Sequence, residues 1–560
     1  MRKIYYFLSA ALLLLLCEIK VEAQAFVRGP YLQSPGPNSI IVRWRTDSLC
    51  ESRVAWGTTL GSTAFVQDDS TLTTEHIVKL SGLNAHTTYY YMVGTFTGPM
   101  RGPDAMMHFT TGPDTANPTP VRLWCIGDFG HGNAAQASVR NSYMNYTQNH
   151  RADLQLWLGD NAYSDGTDSE FTTKVFDSIY GYHDQMLNLP FISTSGNHDY
   201  NSICPWQPFF CTQDPNTHHG PYLDLISPPT EGELGGVPSH TKLFYSLDYG
   251  NIHFVILNSE LGSLTAAYNW AGILNSDTGF TSPMLNWLKQ DLAATKQTWK
   301  IVIWHQCPYS GQNNFTDDGV QVFCIAARNH FNPIIESYGA DLVLTGHDHN
   351  YQRSYLINGH YDGKATFTPA MMINGNNGNE AEGTPYIKYT DGPLKDKGTV
   401  YVLEGNSSEG NDASPIEHPA IYWGEACSTC YGSFIVDVDG NKLTGRYLTS
   451  TDSIRDEFTI IKQSFTALQD TKAFEHTDVF PNPFDNQVTV GYTLLTKTAV
   501  KLEVIDALGR TVLVQNQGVR EPGNYHDLID FTKNTLAKGN YVLRLIAGND
   551  VRNLKLQKLN

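Results

Sequence analysis

Residues 121–130 read VRLWCIGDFG and residues 154–163 read LQLWLGDNAY. Each is an apolar run of strand length that stops at a glycine followed by an aspartate. Short runs rich in Leu, Ile and Trp and closed by turn residues read as buried strands. The same grammar returns at Pro190–Gly196, His253–Asn258, Lys300–Trp304 and Asp341–Gly346. Between two of these runs, Pro283–Leu292 (PMLNWLKQDL) carries apolar residues at i, i+3, i+4 and i+7, which predicts a helix; a second helix is predicted over Ala327–Tyr338. Strands alternating with helices indicate an α/β core. Its chemistry is then expected at the carboxyl ends of the strands.

Five polar clusters occupy those ends: Gly127-Asp128-Phe129-Gly130, Gly159-Asp160-Asn161-Ala162-Tyr163, Gly196-Asn197-His198-Asp199, Val302-Ile303-Trp304-His305 and Gly346-His347-Asp348-His349. Taken singly, an aspartate after a strand is usually a helix cap and a lone histidine is usually a satisfied polar residue. Five in succession point elsewhere. Together they offer two carboxylates, a phenol, an amide oxygen and several imidazoles, without a thiolate. That donor set suits Fe, Zn or Mn and not a thiolate site. A carboxylate shared between two ions about 3.5–4 Å apart divides the other donors into two groups and makes a clamp for phosphoryl transfer.

The five-block pattern resembles the purple acid phosphatases within the calcineurin-like metallophosphoesterases, over about residues 120 to 460. Two details pick out the purple subgroup: Gly130 stands where many metallophosphoesterases carry a metal-binding histidine, and Tyr163 follows Asp160 by three residues. The resemblance implies a binuclear centre of Fe(III) and a divalent ion (Zn, Fe or Mn). It places Asp128, Tyr163 and His349 on the ferric ion, Asp160 between the ions, and Asn197, His305 and His347 on the divalent ion. His198 is similar to a non-ligand histidine that contacts phosphate and protonates the leaving group. Asn350-Tyr351-Gln352-Arg353-Ser354 also resembles the segment after the last block in that family. The implied activity is acid hydrolysis of phosphate monoesters by a metal-activated hydroxide. A phosphodiesterase or nucleotidase on the same core, or a non-catalytic surface binding protein, are the alternatives. One departure stands out. Plant-type members carry further histidines after the fourth block, whereas Gln306–Phe315 contains none; Asn313 or Asn314 are the candidate phosphate contacts there, and neither can act as an acid.

Outward from this core, residues 24–112 alternate in character between Gly, Pro and Asn punctuation and read as a β-sandwich. With the opening Arg28-Gly29-Pro30-Tyr31-Leu32-Gln33, this segment resembles the fibronectin-type domain of plant-type members. Pro113 to Pro120 is a linker by composition, and the catalytic domain is expected over 121–462. Residues 476–560 form a further β-sandwich. Pro481-Asn482-Pro483, Asp506-Ala507-Leu508-Gly509-Arg510 and Gly539-Asn540-Tyr541-Val542-Leu543 resemble the C-terminal sorting domain of type IX secretion, implying a bacterial protein exported through the outer membrane. The fold class is thus multidomain: a β-sandwich, an α/β metallophosphoesterase fold with a β-sandwich core flanked by helices, and a second β-sandwich.

Met1-Arg2-Lys3, the apolar run Ala10–Leu16 and Val21-Glu22-Ala23 predict a signal peptide over 1–23. The apolar run is shorter than the ~20 residues of a spanning helix, and Leu16 argues against lipid attachment at Cys17. A secreted or surface location is expected, without a transmembrane segment. Of 560 residues, 41% are apolar and 17% charged, which supports packed domains, and the net charge of −18 excludes nucleic acid as a standing partner. The partners expected are a small phosphate ester and the type IX machinery. Cys204/Cys211, Cys307/Cys324 and Cys427/Cys430 are close in sequence and suggest loop disulfides, with half a zinc site as the alternative for the last pair; Cys125 reads as a buried thiol. His218-His219 either form part of the substrate rim or are solvated loop residues. His253 reads as structural, and Glu404-Gly405-Asn406-Ser407 as a candidate wall of the site.

Overall fold

The computed structural model describes residues 24–148, 151–200, 220–260, 282–312, 316–317, 321–411, 413–465, 473–532, 536–548 and 550–559. The expected signal peptide, Cys204 with Cys211, His218-His219, and Asn313 and Asn314 lie outside these residues. The chain divides into two compact units at Ser464/Phe465.

The first unit opens with a six-stranded sheet organised by one long strand, Ser39–Gly57. Its first half pairs with Phe26–Gln33 and with residues 75–81, and its second half with residues 65–73 and Thr88–Thr95. Register shifts interrupt the pairing of the strand near Cys50, and Leu32, Trp44, Val54, Tyr91 and Phe109 form the core of this domain. Tyr31 belongs to a different core. Its ring lies 4.9 Å from that of Phe176, and its hydroxyl donates to Leu225 O at 3.0 Å, so this sandwich is docked on the neighbouring central domain.

The central domain is two seven-stranded mixed sheets packed face to face. In one, Val121–Ile126, Leu154–Leu158 and Phe191–Thr194 run parallel; in the other, Ile252–Ile256, Trp299–Gln306, Leu342–Gly346 and Val400–Glu404 do. Alternation along each strand explains why both faces are buried. Ile301 and Ile303 join Leu123, Leu156 and Phe434 between the sheets, whereas Val302 and Trp304 face the outer layer with Leu288 and Phe331. Among the described residues the long helices are Ala134–Thr147, Ser282–Ala294 and Val322–Ser337. The last begins five residues before the predicted Ala327, because Phe323, Cys324 and Ala326 are also buried. The first was not among the expectations: its buried face includes Gln136, Ser142 and Thr147, too polar to mark a helix by periodicity, and Asn133 caps it by accepting from Gln136 N. Among the described cysteines only Cys427 and Cys430 are bridged. The expected Cys307–Cys324 disulfide is absent. The two thiols lie 4.0 Å apart in a small apolar cluster with Leu403, and the Cys324 thiol donates to Gln306 Oε1.

The second unit is a three-stranded sheet (Phe474–Phe480, Gln487–Leu494, Gly523–Asp530) and a four-stranded one (Thr498–Ile505, Thr511–Arg520, Gly539–Ala547, Asp550–Lys558). They enclose Val488, Val490, Leu502, Leu543 and Leu545.

His253 is structural, as expected, and it locks helix to sheet. Fully buried, its ring pairs through Nδ1 with Asp248 Oδ1 at 2.7 Å and through Nε2 with Asp291 Oδ2 at 2.8 Å on the helix Ser282–Ala294. Burial alone would lower its pKa, but the two carboxylates raise it from 6.5 to about 9. Because the folded pKa is raised, the clasp contributes its full stability below about pH 6.5 and loses it as pH rises through about 9. Breaking such a buried pair costs about 3–5 kcal/mol. His253→Gln is therefore expected to lower the thermal midpoint at pH 6, with the gap to wild type narrowing above pH 9; a gap independent of pH contradicts the clasp.

Candidate metal centre

The parallel strands of both sheets end at one edge of the sandwich. Asp128, Asp160 and Asn197-His198 come after the strands ending at Ile126, Leu158 and Thr194, His305 lies near the end of Trp299–Gln306, and His347 and His349 come after Leu342–Gly346. The backbone turns sharply to present them. Asp128, Asp160 and His347 take positive φ values of 53°, 49° and 81°, a conformation that costs non-glycine residues energy and gathers at functional sites. Close approach explains two neighbouring glycines: a Cβ on Gly196 would sit 2.2 Å from Asp160 Oδ1, and one on Gly346 would sit 2.3 Å from Asp128 Oδ2.

Each carboxylate has one anchored oxygen and one aimed inward. Asp128 Oδ2 accepts from His347 N at 2.8 Å, which leaves Oδ1 facing the Tyr163 hydroxyl at 3.1 Å and His349 Nε2 at 3.5 Å. Asp160 Oδ1 accepts from His198 N at 2.7 Å, while its Oδ2 lies 3.2 Å from both the Tyr163 hydroxyl and His305 Nε2. Two groups of donors thus meet at Asp160. Asp128, Tyr163 and His349 lie on one side. On the other, one donor atom each from Asp160, His305 and His347 fall within 4.8 Å of one another. Asn197 Oδ1 accepts from Gln306 Nε2 at 3.4 Å. The His305 ring is set by Nδ1 at 3.0 Å from Leu158 O, which directs Nε2 inward.

The arrangement fits metal ions. The single phenolic hydrogen of Tyr163 faces two carboxylate oxygens, Asp128 Oδ1 and Asp160 Oδ2, and can serve one, with His349 Nε2 beside it at 3.2 Å. His305 Nε2 is buried without a hydrogen bond of acceptable geometry despite its closeness to Asp160. Burial, then the nearby His305, push His347 down to about 3, so its ring is neutral and offers a lone pair. Burial favours a neutral Asp160, yet His305 above all, by its charge and its direct contact, holds the pKa of Asp160 below the usual carboxylate range. Carboxylate, phenol, amide and imidazole donors converge here, a set that cations would satisfy.

A second ring of residues supports this set. Asp199 accepts from Asn161 N, Asn161 Nδ2 and Gly196 N at 2.8–3.0 Å, tying two of the loops together, and burial raises its pKa to about 8. His198 lies at the edge: Nδ1 meets Ser164 O at 2.7 Å, and Nε2 is 4.0 Å from Asp160 Oδ2. Glu404 is buried behind the loop and accepts from Ser407 Oγ at 3.3 Å; burial raises its pKa well above the usual value, and it holds the loop from behind. His131 and Glu409 escaped the sequence reading. His131 stacks on Tyr163 with ring centroids 3.9 Å apart, and its Nε2 faces Glu409 Oε2 at 3.1 Å. His131 comes three residues after Asp128, a signal available in the sequence; nothing in the spacing of Glu409 announces it.

A buried set of Asp, His, Asn and Tyr donors at the strand ends of a two-sheet sandwich defines a metallophosphoesterase. Residues 121–351 match the calcineurin-like phosphoesterase family and residues 478–558 the secretion system C-terminal sorting domain. The central domain belongs to that phosphoesterase family, and the C-terminal domain marks the chain for export to the cell surface or beyond. The chain is similar to purple acid phosphatases. It is 25% identical over 376 residues to purple acid phosphatase 18 of Arabidopsis thaliana, covering 64% of this chain and 73% of the relative. It is 22% identical over 301 residues to the Fe(3+)-Zn(2+) purple acid phosphatase 12 of the same plant, covering 50% of this chain and 52% of the relative. The solved structure of a purple acid phosphatase from yellow lupin (Lupinus luteus) seeds shares the fold, with a TM-score of 0.56 at 18% identity over 78% of this chain and 74% of that one.

Gly196→Ala should leave the fold intact but drive Asp160 from its position, since the added methyl would overlap Oδ1. Loss of bound metal at an unchanged circular dichroism spectrum is the expected result; full metal content would show that the loop yields without cost.

Proposed function

We propose that this chain is an exported phosphatase of the purple acid type, hydrolysing phosphate monoesters at a binuclear metal centre. The observation that carries the reading is the position of Asp160, whose Oδ2 touches Tyr163 on one side and His305 on the other. In this reading Asp128, Tyr163 and His349 hold Fe(III), Asn197, His305 and His347 hold a divalent ion (Zn, Fe or Mn), and Asp160 is common to both. The Fe(3+)-Zn(2+) designation of one relative supports the pairing. A bound metal pair supplies Lewis-acid polarisation of the phosphoryl group and a nucleophile at moderate pH. The type IX machinery is the partner that the sorting domain would engage.

The chain's own residues orient and protonate. His198 donates Nδ1–H to Ser164 O, which turns Nε2 toward the substrate side of Asp160. From there the protonated ring gives its proton to the departing alkoxide.

Tyr163→Phe should bleach the visible absorption expected of a phenolate on ferric iron. A colourless, fully active wild-type protein would remove iron from the account and leave the phosphoesterase reading standing.

His198→Ala should keep the metals and lower kcat by about 10²–10⁴-fold for alkyl phosphates, with a smaller loss for p-nitrophenyl phosphate, which needs little protonation. Equal losses for both would make His198 a binding residue only. Wild-type kcat/KM should favour a monoester over a diester with the same leaving group; the reverse order sinks the monoesterase reading.

A further inference from the structure

The strand Val400–Glu404 leads into a loop held by the loops that carry the candidate ligands. Ser407 N donates to Gly127 O at 3.2 Å, Ser408 Oγ donates to Asp128 O at 2.8 Å, and Asn411 N donates to His349 O at 2.9 Å. Glu409 lies between these attachments. Its side chain is 48% exposed, yet its backbone is held on both sides. One carboxylate oxygen, Oε2, lies 3.1 Å from His131 Nε2 and 3.6 Å from His349 Nδ1, an ion-pair contact in the second case.

Hydrogen-bond direction fixes one end of the His131 ring. Ser408 uses its single hydroxyl hydrogen on Asp128 O, so at 2.8 Å it accepts from Nδ1–H of His131. A proton between the other nitrogen and Glu409 joins that end of the ring to the carboxylate, while the ring face covers Tyr163. His349 directs Nε2 at Tyr163 and Asp128, so with Nε2 serving as a ligand its hydrogen sits on Nδ1 and faces the same carboxylate. One anion therefore stands behind two rings, and both rings flank the phenol.

We infer that Glu409 is a positioning residue of the metal centre: with His131 it fixes the rings that flank Tyr163 and so the geometry of the Asp128, Tyr163 and His349 side. The inference rests on the metal-site reading and deepens it. A carboxylate behind a metal-bound imidazole sets the ring's orientation and raises its basicity, and losing it typically costs about 10–100-fold in metal affinity.

The test is the rate at which a chelator removes metal from the full-length protein as purified, for wild type, Glu409→Ala, Glu409→Asp, His131→Ala and the double alanine variant. Glu409→Ala and His131→Ala should each release metal about 10–100-fold faster. The double variant should be little worse than either single one, and Glu409→Asp should recover part of the loss. In iron-loaded protein the visible band should also move in both alanine variants. Thermal midpoints of the metal-free proteins should stay at the wild-type value, which separates positioning from folding. Wild-type release rates and an unmoved band in Glu409→Ala overturn the inference, as does a change confined to KM, which would make Glu409 a rim residue. A wild-type protein holding no metal ends the metal-site reading and this inference together.

Discussion

Two buried carboxylates and a phenol converge on one point, and the rest of the domain is arranged around the cost of holding them there. Like charges brought together away from water repel, so each must be met by a hydrogen bond, a cation or a proton. Asp128 and Asp160 each give one oxygen to a backbone N–H, of His347 and His198 respectively. Their other oxygens remain aimed at the Tyr163 hydroxyl. That crowding of donor atoms is what would suit the site to metal ions.

The fold supplies the rigidity that this crowding needs. Donors come from both sheets, so the packing of Leu123 and Leu156 against Ile301 and Ile303 sets the distance across the centre. The amino-terminal sandwich adds to this. Arg43 donates to Asp224 O at 2.5 Å and Tyr31 to Leu225 O at 3.0 Å, which bind it to the segment after Gly220. The motif Arg28-Gly29-Pro30-Tyr31-Leu32-Gln33 therefore has a physical role: Arg28 pairs with Asp168 at 3.1 Å and Tyr31 enters the neighbouring core.

Legibility in the sequence tracked physical locality. The strands ending in Gly-Asp, Gly-Asn and Gly-His were readable because one short segment carries both the buried run and the turn that presents the donor. His253 was readable as structural from its alternation in an apolar strand. The helix Ala134–Thr147 was not, since its buried face is polar. Cys307 and Cys324 are near neighbours, as their spacing implied, but proximity does not set rotamers, and the Cys324 thiol points to Gln306. Glu409 depends on attachments to Asp128 and His349, which lie 281 and 60 residues earlier in the chain. No local pattern encodes such a position.

The central claim is that Asp160 joins two metal-binding groups into one centre. Metal content per chain, measured on purified wild type and on Asp160→Ala, tests it most directly. The account predicts two ions in the wild-type protein and loss of both in the variant, with the fold retained. A single ion in wild type, or two ions kept without Asp160, would contradict it.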